Sequence, residues 1–276
     1  MDAELLAPHL VVKEITSPHN HLLKQIRLLQ DRHGREKSKL FLIEGAKVLN
    51  EAIDKKVEVV DIAVSETYVK NGLANLEQSG LKILYALPDK LFEGLGTTTT
   101  PTGIIAIARM KDETIADCLK GGEPLLMVLD AIQDPGNLGT IIRSGLAFGA
   151  SGIILTKGSV DPYNPKVVRG AMGASFALPI VFDLAVADVI ETLHEQNIKT
   201  IALDPRAEKT ITDIDLSQPA AFFFGNEGHG FARTTIEALQ EKVSIPMRHM
   251  TESLNVAISA SIVMFECARA RNRSQS

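Results

Sequence analysis

Strand-length apolar runs, unbroken rather than alternating, recur through the second half of this chain and constrain its fold more than any other feature. Residues 125–130 (LLMVLD), 152–156, 179–182, 199–204 and 221–224 are such runs. Helix-compatible segments lie between them at 137–148, 166–172, 185–196 and from about Ala232. A strand that is apolar on both faces needs cover on both, and helical crossovers are what join parallel strands. The expected fold is therefore α/β, with a parallel sheet sandwiched by helices. A short strand at 243–246 and a long apolar helix from about Glu252 complete the series.

The first half alternates in the same way. After a loose tail at 1–12, Ser17-Pro18 reads as a helix start that runs to His33-Gly34, followed by a polar loop at 35–39. Strands are expected at 40–43, 59–64, 82–86 and 103–108, with helices at 46–55, 66–78 and 88–93. The loop 94–102 carries the threonine tract 97–100. Residues 110–123 are charged and end in Gly121-Gly122, which suits a linker. At 276 residues the chain is long enough for two domains, expected at 13–109 and 124–273 with 110–123 between them.

Composition narrows the function classes. The two cysteines, Cys118 and Cys267, imply neither a disulfide framework nor a thiolate metal cage. No apolar run reaches the roughly 18 residues of a membrane span. The acidic start, MDAELLAPHLVV, lacks the basic region of a signal peptide, so the expected compartment is the cytoplasm. Net charge is -5, which by itself disfavours a nucleic-acid partner. From Lys13 to Lys47, however, eight Lys/Arg face four acids, and His19, His21 and His33 sit among them. Such a patch can attract phosphates, although a solvated helix face is the plainer reading.

Chemistry-bearing residues follow three of the apolar runs. After 125–130 comes AIQDPGNLGTIIR. It lacks the Gly-x-Gly-x-x-Gly spacing of a dinucleotide fold and the Lys-Ser/Thr of a P-loop. Asp134-Pro135-Gly136 is a turn, with Asn137 placed to cap the helix that follows. Arg143, six residues on, stands in an otherwise apolar, glycine-containing helix, where a functional arginine competes with a surface ion pair. After 221–224, Glu227 is displayed on the turn Gly225-Asn226-Glu227-Gly228-His229-Gly230. It either binds a polar group or accepts N–H groups at the start of the next helix. His229 has no second histidine at ligand spacing, so no metal is expected. Ser253 and Asn255 open the last helix, as caps or as site residues.

Together, DPGNLGTIIRSGLAFG, FFFGNEGHG and SIPMRHMTESLNVAISASIVMFE resemble motifs 1, 2 and 3 of the SpoU (TrmH-like) RNA ribose 2′-O-methyltransferases, within the SPOUT superfamily. The resemblance spans about 125–270, and residues from about 15 to 108 are similar to the L30e/L7Ae-like substrate-binding domain of many members. It implies a C-terminal trefoil knot and homodimers whose active site takes part of motif 1 from the other subunit. It also implies S-adenosylmethionine as methyl donor, with Gly225, Ile245, Leu254 and Leu203 at the cofactor positions. Arg143, Glu227, Asn137, Ser253 and Asn255 match catalytic-site positions. The reaction implied is methyl transfer to a ribose 2′-OH, with 23S rRNA the favoured substrate. The alternatives are a tRNA substrate, or a non-catalytic RNA-binding or ribosome-assembly protein on the same scaffold. Arginine, with a pKa above about 12, is a poor base. Arg143 therefore suits orientation of phosphate and nucleophile and stabilisation of developing alkoxide charge.

Overall fold

A computed structural model describes residues 11–70, 83–97, 102–248 and 253–274. The parts of the expected helix 66–78 beyond Lys70, of the threonine tract beyond Thr97, and the start of the last helix at Glu252 lie outside the described residues. In chain order the first elements are β1 (Val11–Glu14), α1 (His21–Leu28), α2 (Arg32–Ser38), β2 (Leu40–Glu44), α3 (Ala46–Asp54), β3 (Val59–Ser65), α4 (Glu66–Lys70), β4 (Ile83–Leu87), α5 (Asp89–Phe92) and β5 (Ile104–Arg109). Next come α6 (Ile115–Cys118), β6 (Leu125–Leu129), α7 (Pro135–Ala147), β7 (Gly152–Thr156), α8 (Pro165–Ala171), β8 (Ile180–Leu184) and α9 (Val186–Glu195). The chain closes with β9 (Lys199–Leu203), β10 (Ala220–Phe224), α10 (Arg233–Ala238), β11 (Glu241–Val243) and α11 (Val256–Ser274).

These elements form two compact units. The first comprises Met1–Lys111 and Tyr163–Phe176. Its sheet has the order β1-β4-β3-β5-β2, with β5 antiparallel to both neighbours and the other pairs parallel. The expected boundary at 124–273 assigns Tyr163–Phe176 to the second domain, and the structure differs. Phe41 and Ile43 of β2 need cover, and Val168 of α8 and Phe176 join them in one buried cluster, with Tyr163 packed against it. The Phe41 and Tyr163 rings lie 4.8 Å apart between centroids.

The expected single helix from Ser17-Pro18 is two helices. Asn20, rather than Ser17, caps α1 by accepting the Leu22 N–H at 2.9 Å. The supposed loop 35–39 is mostly α2, and it ends where Lys39 turns left-handed. Arg35 is 2% exposed and donates to the carbonyls of Leu29 (2.9 Å) and Gln30 (2.7 Å), satisfying groups left open at the end of α1. It is thus withdrawn from the basic surface patch. A side chain at Gly34 would meet the Leu28 carbonyl oxygen at 2.1 Å, so only glycine allows the two helices to approach this closely.

The second unit comprises Asp112–Pro162 and Ala177–Ser276. Its six strands run β11-β9-β10-β6-β7-β8, and every pair is parallel, as the unbroken apolar runs require. The first strand in sequence, β6, sits in the interior. The chain builds outwards to β7 and β8 on one side and returns to fill β9, β10 and β11 on the other. The order therefore reverses between β6 and β10, where a crevice opens at the strands' carboxyl ends. The register pairs Leu129 of β6 with Phe224 of β10, so the two motif-bearing loops emerge side by side. Helix α11 packs on α7, where the Ser261 and Ser144 hydroxyls are hydrogen-bonded at 2.8 Å. Near its far end, Arg271 donates to the carbonyls of Glu123, Pro124 and Gln218 at 2.7–3.3 Å.

Both cysteines lie in this unit and are fully buried. Burial pushes the thiols of Cys118 and Cys267 up to about 12. Neither should be alkylated by iodoacetamide in the native protein at about pH 8, and both should react once denaturant is added. Two modified cysteines in the native mass spectrum would contradict this packing.

Candidate functional site

Asp134, not Asn137, caps α7. Its carboxylate accepts the Asn137 N–H at 2.7 Å, and Pro135 fills the first helical position, where its missing N–H costs nothing. The helix thus begins two residues before the expected 137, and Asn137 falls in its first turn with its side chain free for other work. That amide donates to Glu227 Oε1 at 3.2 Å and accepts from the Asn255 amide at 2.9 Å.

Glu227 collects two further donors from the same loop. The Gln133 N–H reaches Oε2 and the Asp134 N–H reaches Oε1, each at 3.3 Å. The glutamate does accept N–H groups at a helix start, but the helix is α7, some ninety residues earlier in the chain, and not α10, which follows it. A carboxylate at the N-terminus of α7 also faces the positive end of that helix. Asn255 accepts the Ala257 and Ile258 N–H groups at 2.9 and 3.3 Å, so it caps α11, which begins at Val256. One hydrogen-bonded line therefore runs from Glu227 through Asn137 to Asn255 and joins all three motif segments.

The turn that carries Glu227 is closed by its own backbone. Asn226 and Gly230 exchange two bonds, at 3.1 and 2.9 Å. Gly230 has a φ of +66°, and a β-carbon on Gly225 would sit 2.6 Å from the Gly230 carbonyl carbon. No side chain fits at Gly225 unless this turn opens.

Beside this network lies a cavity of about 630 Å³, within the ~300–1,000 Å³ usual for small-molecule and cofactor sites. Every expected cofactor position, Leu203, Gly225, Ile245 and Leu254, lines it, and so do Glu227, Ser253 and Asn255. Ile245 lies beyond β11, which ends at Val243 and not at 246; Ser244 then bridges to Thr210. Asn137 touches the site through Glu227 and Asn255 without lining the cavity. Arg143 also does not line it. Arg143 is exposed on α7 and has no hydrogen-bond or ion-pair partner among the described residues.

Asp204 and Arg206, which the sequence did not single out, form part of the cavity wall. Burial alone would raise the Asp204 carboxyl, but hydrogen bonds and charge from Arg206 outweigh it, so its pKa falls below the usual carboxylate range. Asp134 was legible in retrospect as an Asp-Pro helix start. Asn226 carried no signal beyond its place in the glycine turn. Among the described residues, no group of three or more His, Cys, Asp or Glu could hold a metal ion, and no helix is long and apolar enough to cross a membrane.

Residues 124–265 match the model of the SpoU rRNA Methylase family, and residues 20–106 match that of the MRM3-like substrate binding domain. The 23S rRNA (guanosine(2553)-2'-O)-methyltransferase RlmP of Bacillus subtilis is 31% identical, over 92% of this chain and 98% of its own. The AdoMet-bound rRNA methyltransferase from Sinorhizobium meliloti is 30% identical, with a TM-score of 0.82 over 94% of this chain and 98% of its own. The SpoU methyltransferase AviRb from Streptomyces viridochromogenes, in complex with AdoMet, superposes with a TM-score of 0.84 at 26% identity, over 92% and 99% of the two chains.

The geometry at the motif 2 turn generates a direct comparison of two glycines. Gly225→Ala should lower unfolding stability by about 1–3 kcal/mol, because backbone must move to admit the methyl group. Gly228→Ala, where the nearest atom is Asn226 Oδ1 at 3.5 Å, should cost far less. Urea unfolding of both variants decides it, and equal midpoints would contradict the closed turn.

Proposed function

The chain belongs to the SpoU rRNA methylase family, and from that premise we propose that it transfers a methyl group from S-adenosylmethionine to a ribose 2′-OH of ribosomal RNA. The observation that carries this reading is the convergence of all three motif segments on one cavity, through Glu227, Asn137 and Asn255. Large-subunit rRNA is favoured over tRNA because RlmP, which is matched over nearly its whole length, is named for 23S rRNA. An enzyme acting on ribosomal RNA works where ribosomes are assembled, in keeping with a cytoplasmic location. We further propose that the second unit carries the trefoil knot of the superfamily.

The cavity suits that cofactor. Leu203, Phe224, Ile245 and Leu254 give apolar contact for a flat ring, while Asp204, Glu227 and Ser253 give polar groups for its hydroxyl and charged ends. The bound cofactor supplies an already activated methyl group, so the protein's task is to align the nucleophile and relieve its developing charge. Glu227 and Asn137 hold the start of α7 in place against the cavity. Ser253 and Asn255 shape the opposite wall.

Arg143 is the residue assigned to the 2′-OH and its neighbouring phosphate. It stands outside the cavity of its own chain, three residues before the exposed Leu146 on α7. Leu146, Ile258 of α11 and Phe265 of α11 are 45%, 51% and 49% exposed, an unusual density of large apolar side chains on two packed helices. Phe265 also meets Phe148 edge-on at 5.7 Å. This face supports a homodimer in which Arg143 serves the partner's cavity.

Arg143→Ala should abolish methyl transfer to rRNA while calorimetry still detects cofactor binding; unchanged turnover would refute its role. Mixing it with an inactive Glu227→Ala variant should restore about a quarter of wild-type activity, since half the dimers are mixed and each holds one intact site. No recovery after subunit exchange would place Arg143 in the site of its own chain. Phe265→Asp should shift the protein to a monomer in sedimentation analysis, and an intact dimer would remove this face from the interface.

A further inference from the structure

Ala131, the second residue after β6, has a φ of +56°. A residue with a β-carbon seldom adopts this left-handed conformation, and it persists only where the surroundings over-determine it. Two side chains do so here, one from the end of β7 and one from the turn after β10. The Ala131 N–H donates to Thr156 Oγ1 at 3.0 Å, and the Ala131 carbonyl accepts from the Asn226 amide at 2.8 Å.

Both side chains are held so that neither can turn away. The Thr156 hydroxyl has one proton and donates it to Asp130 Oδ1 at 2.7 Å, leaving its lone pairs to the Ala131 N–H. Thr156 lies at the end of β7 and is 2% exposed. Asn226 Oδ1 accepts the Gly228 and His229 N–H groups at 2.9 and 3.2 Å, so its NH₂ must face the Ala131 carbonyl. The next residue, Ile132, is buried, and its carbonyl accepts the Val160 N–H at 2.8 Å. Gln133 and Asp134 then present their N–H groups to Glu227. Asn226 and Glu227 are sequence neighbours that grip the two ends of one short loop.

We propose that Thr156 and Asn226 are positioning residues for the reaction, which hold Ala131 in its left-handed turn and so fix the path of loop 130–134 and the start of the helix that carries Arg143. The proposal rests on the methyltransferase reading for its kinetic consequence, but not for its structural one. No residue of 130–137 lines the cavity, so loosening this loop should leave cofactor binding intact while misplacing what α7 delivers.

Thr156→Val keeps the shape of the side chain and removes its hydroxyl. It should lower kcat for RNA methylation by about ten-fold, because both hydrogen bonds of that hydroxyl, to Asp130 and from the Ala131 N–H, are lost. The cofactor Kd measured by calorimetry should stay within about two-fold of wild type. Thr156→Ser should restore kcat. Adding Ala131→Gly to Thr156→Val should recover most of the loss, because glycine adopts the left-handed turn unaided. Amide hydrogen exchange at Gln133 and Asp134 supplies a readout that needs no turnover. It should rise in Thr156→Val and Asn226→Asp and fall back in the Ala131→Gly double variant. A double variant no better protected or more active than Thr156→Val overturns the proposal, as does a parallel loss of kcat and cofactor affinity. If the wild-type protein methylates no RNA, the functional reading fails and the exchange pattern alone decides whether the clamp stands.

Discussion

A single carboxylate ties this site together. Glu227 accepts two backbone N–H groups and one side-chain amide from a loop some ninety residues earlier, and that amide in turn holds Asn255, the cap of the final helix. Each bond is ordinary in length. Their significance is topological, because the bonds to the Glu227 carboxylate are charge-assisted and the Asn137–Asn255 amide pair extends them to a third segment far away in sequence. The cavity wall, the entry of α7 and the entry of α11 all depend on it.

The arrangement is available only because of the sheet order. In a parallel sheet built outwards from β6, the loops after β6 and β10 become neighbours at the point where the winding reverses. The Asp130 N–H reaches the Phe224 carbonyl at 2.8 Å, so the ladder runs up to the base of both loops. Positions just above that ladder inherit its rigidity, which is what a site that must align two reactants needs. The left-handed turn at Ala131 starts from the same base. A rigid scaffold can hold a strained residue there, whereas a loop on a frayed edge would relax.

Arg143 shows the limit of one chain. Seen on its own, it is an exposed cation beside an apolar face, outside the cavity it would have to serve. The exposed Leu146, Ile258 and Phe265 lie on the same pair of helices as this arginine, which is why we propose a second copy of the chain as the cover for that face.

Much of this was legible in the residues themselves. Unbroken apolar runs such as LLMVLD and AFFF call for a parallel sheet buried on both faces, because each needs cover on both sides. The turns after those strands mark the candidate site, since glycine clusters and Asp-Pro signal where backbone bends and a polar group is displayed. The limits are local: propensity does not distinguish Asn137 from Asp134 as a cap, and the burial of Arg35 depends on α1 folding back over it. The tertiary structure alone decided that Tyr163–Phe176 packs with the first unit, that Glu227 serves the earlier helix rather than the next one, and that Ala131 turns left-handed between Thr156 and Asn226. Sequence patterns report which faces must be hidden and where the chain can turn. Which partner each polar group meets is set by strand order, and that emerges only when the whole sheet assembles.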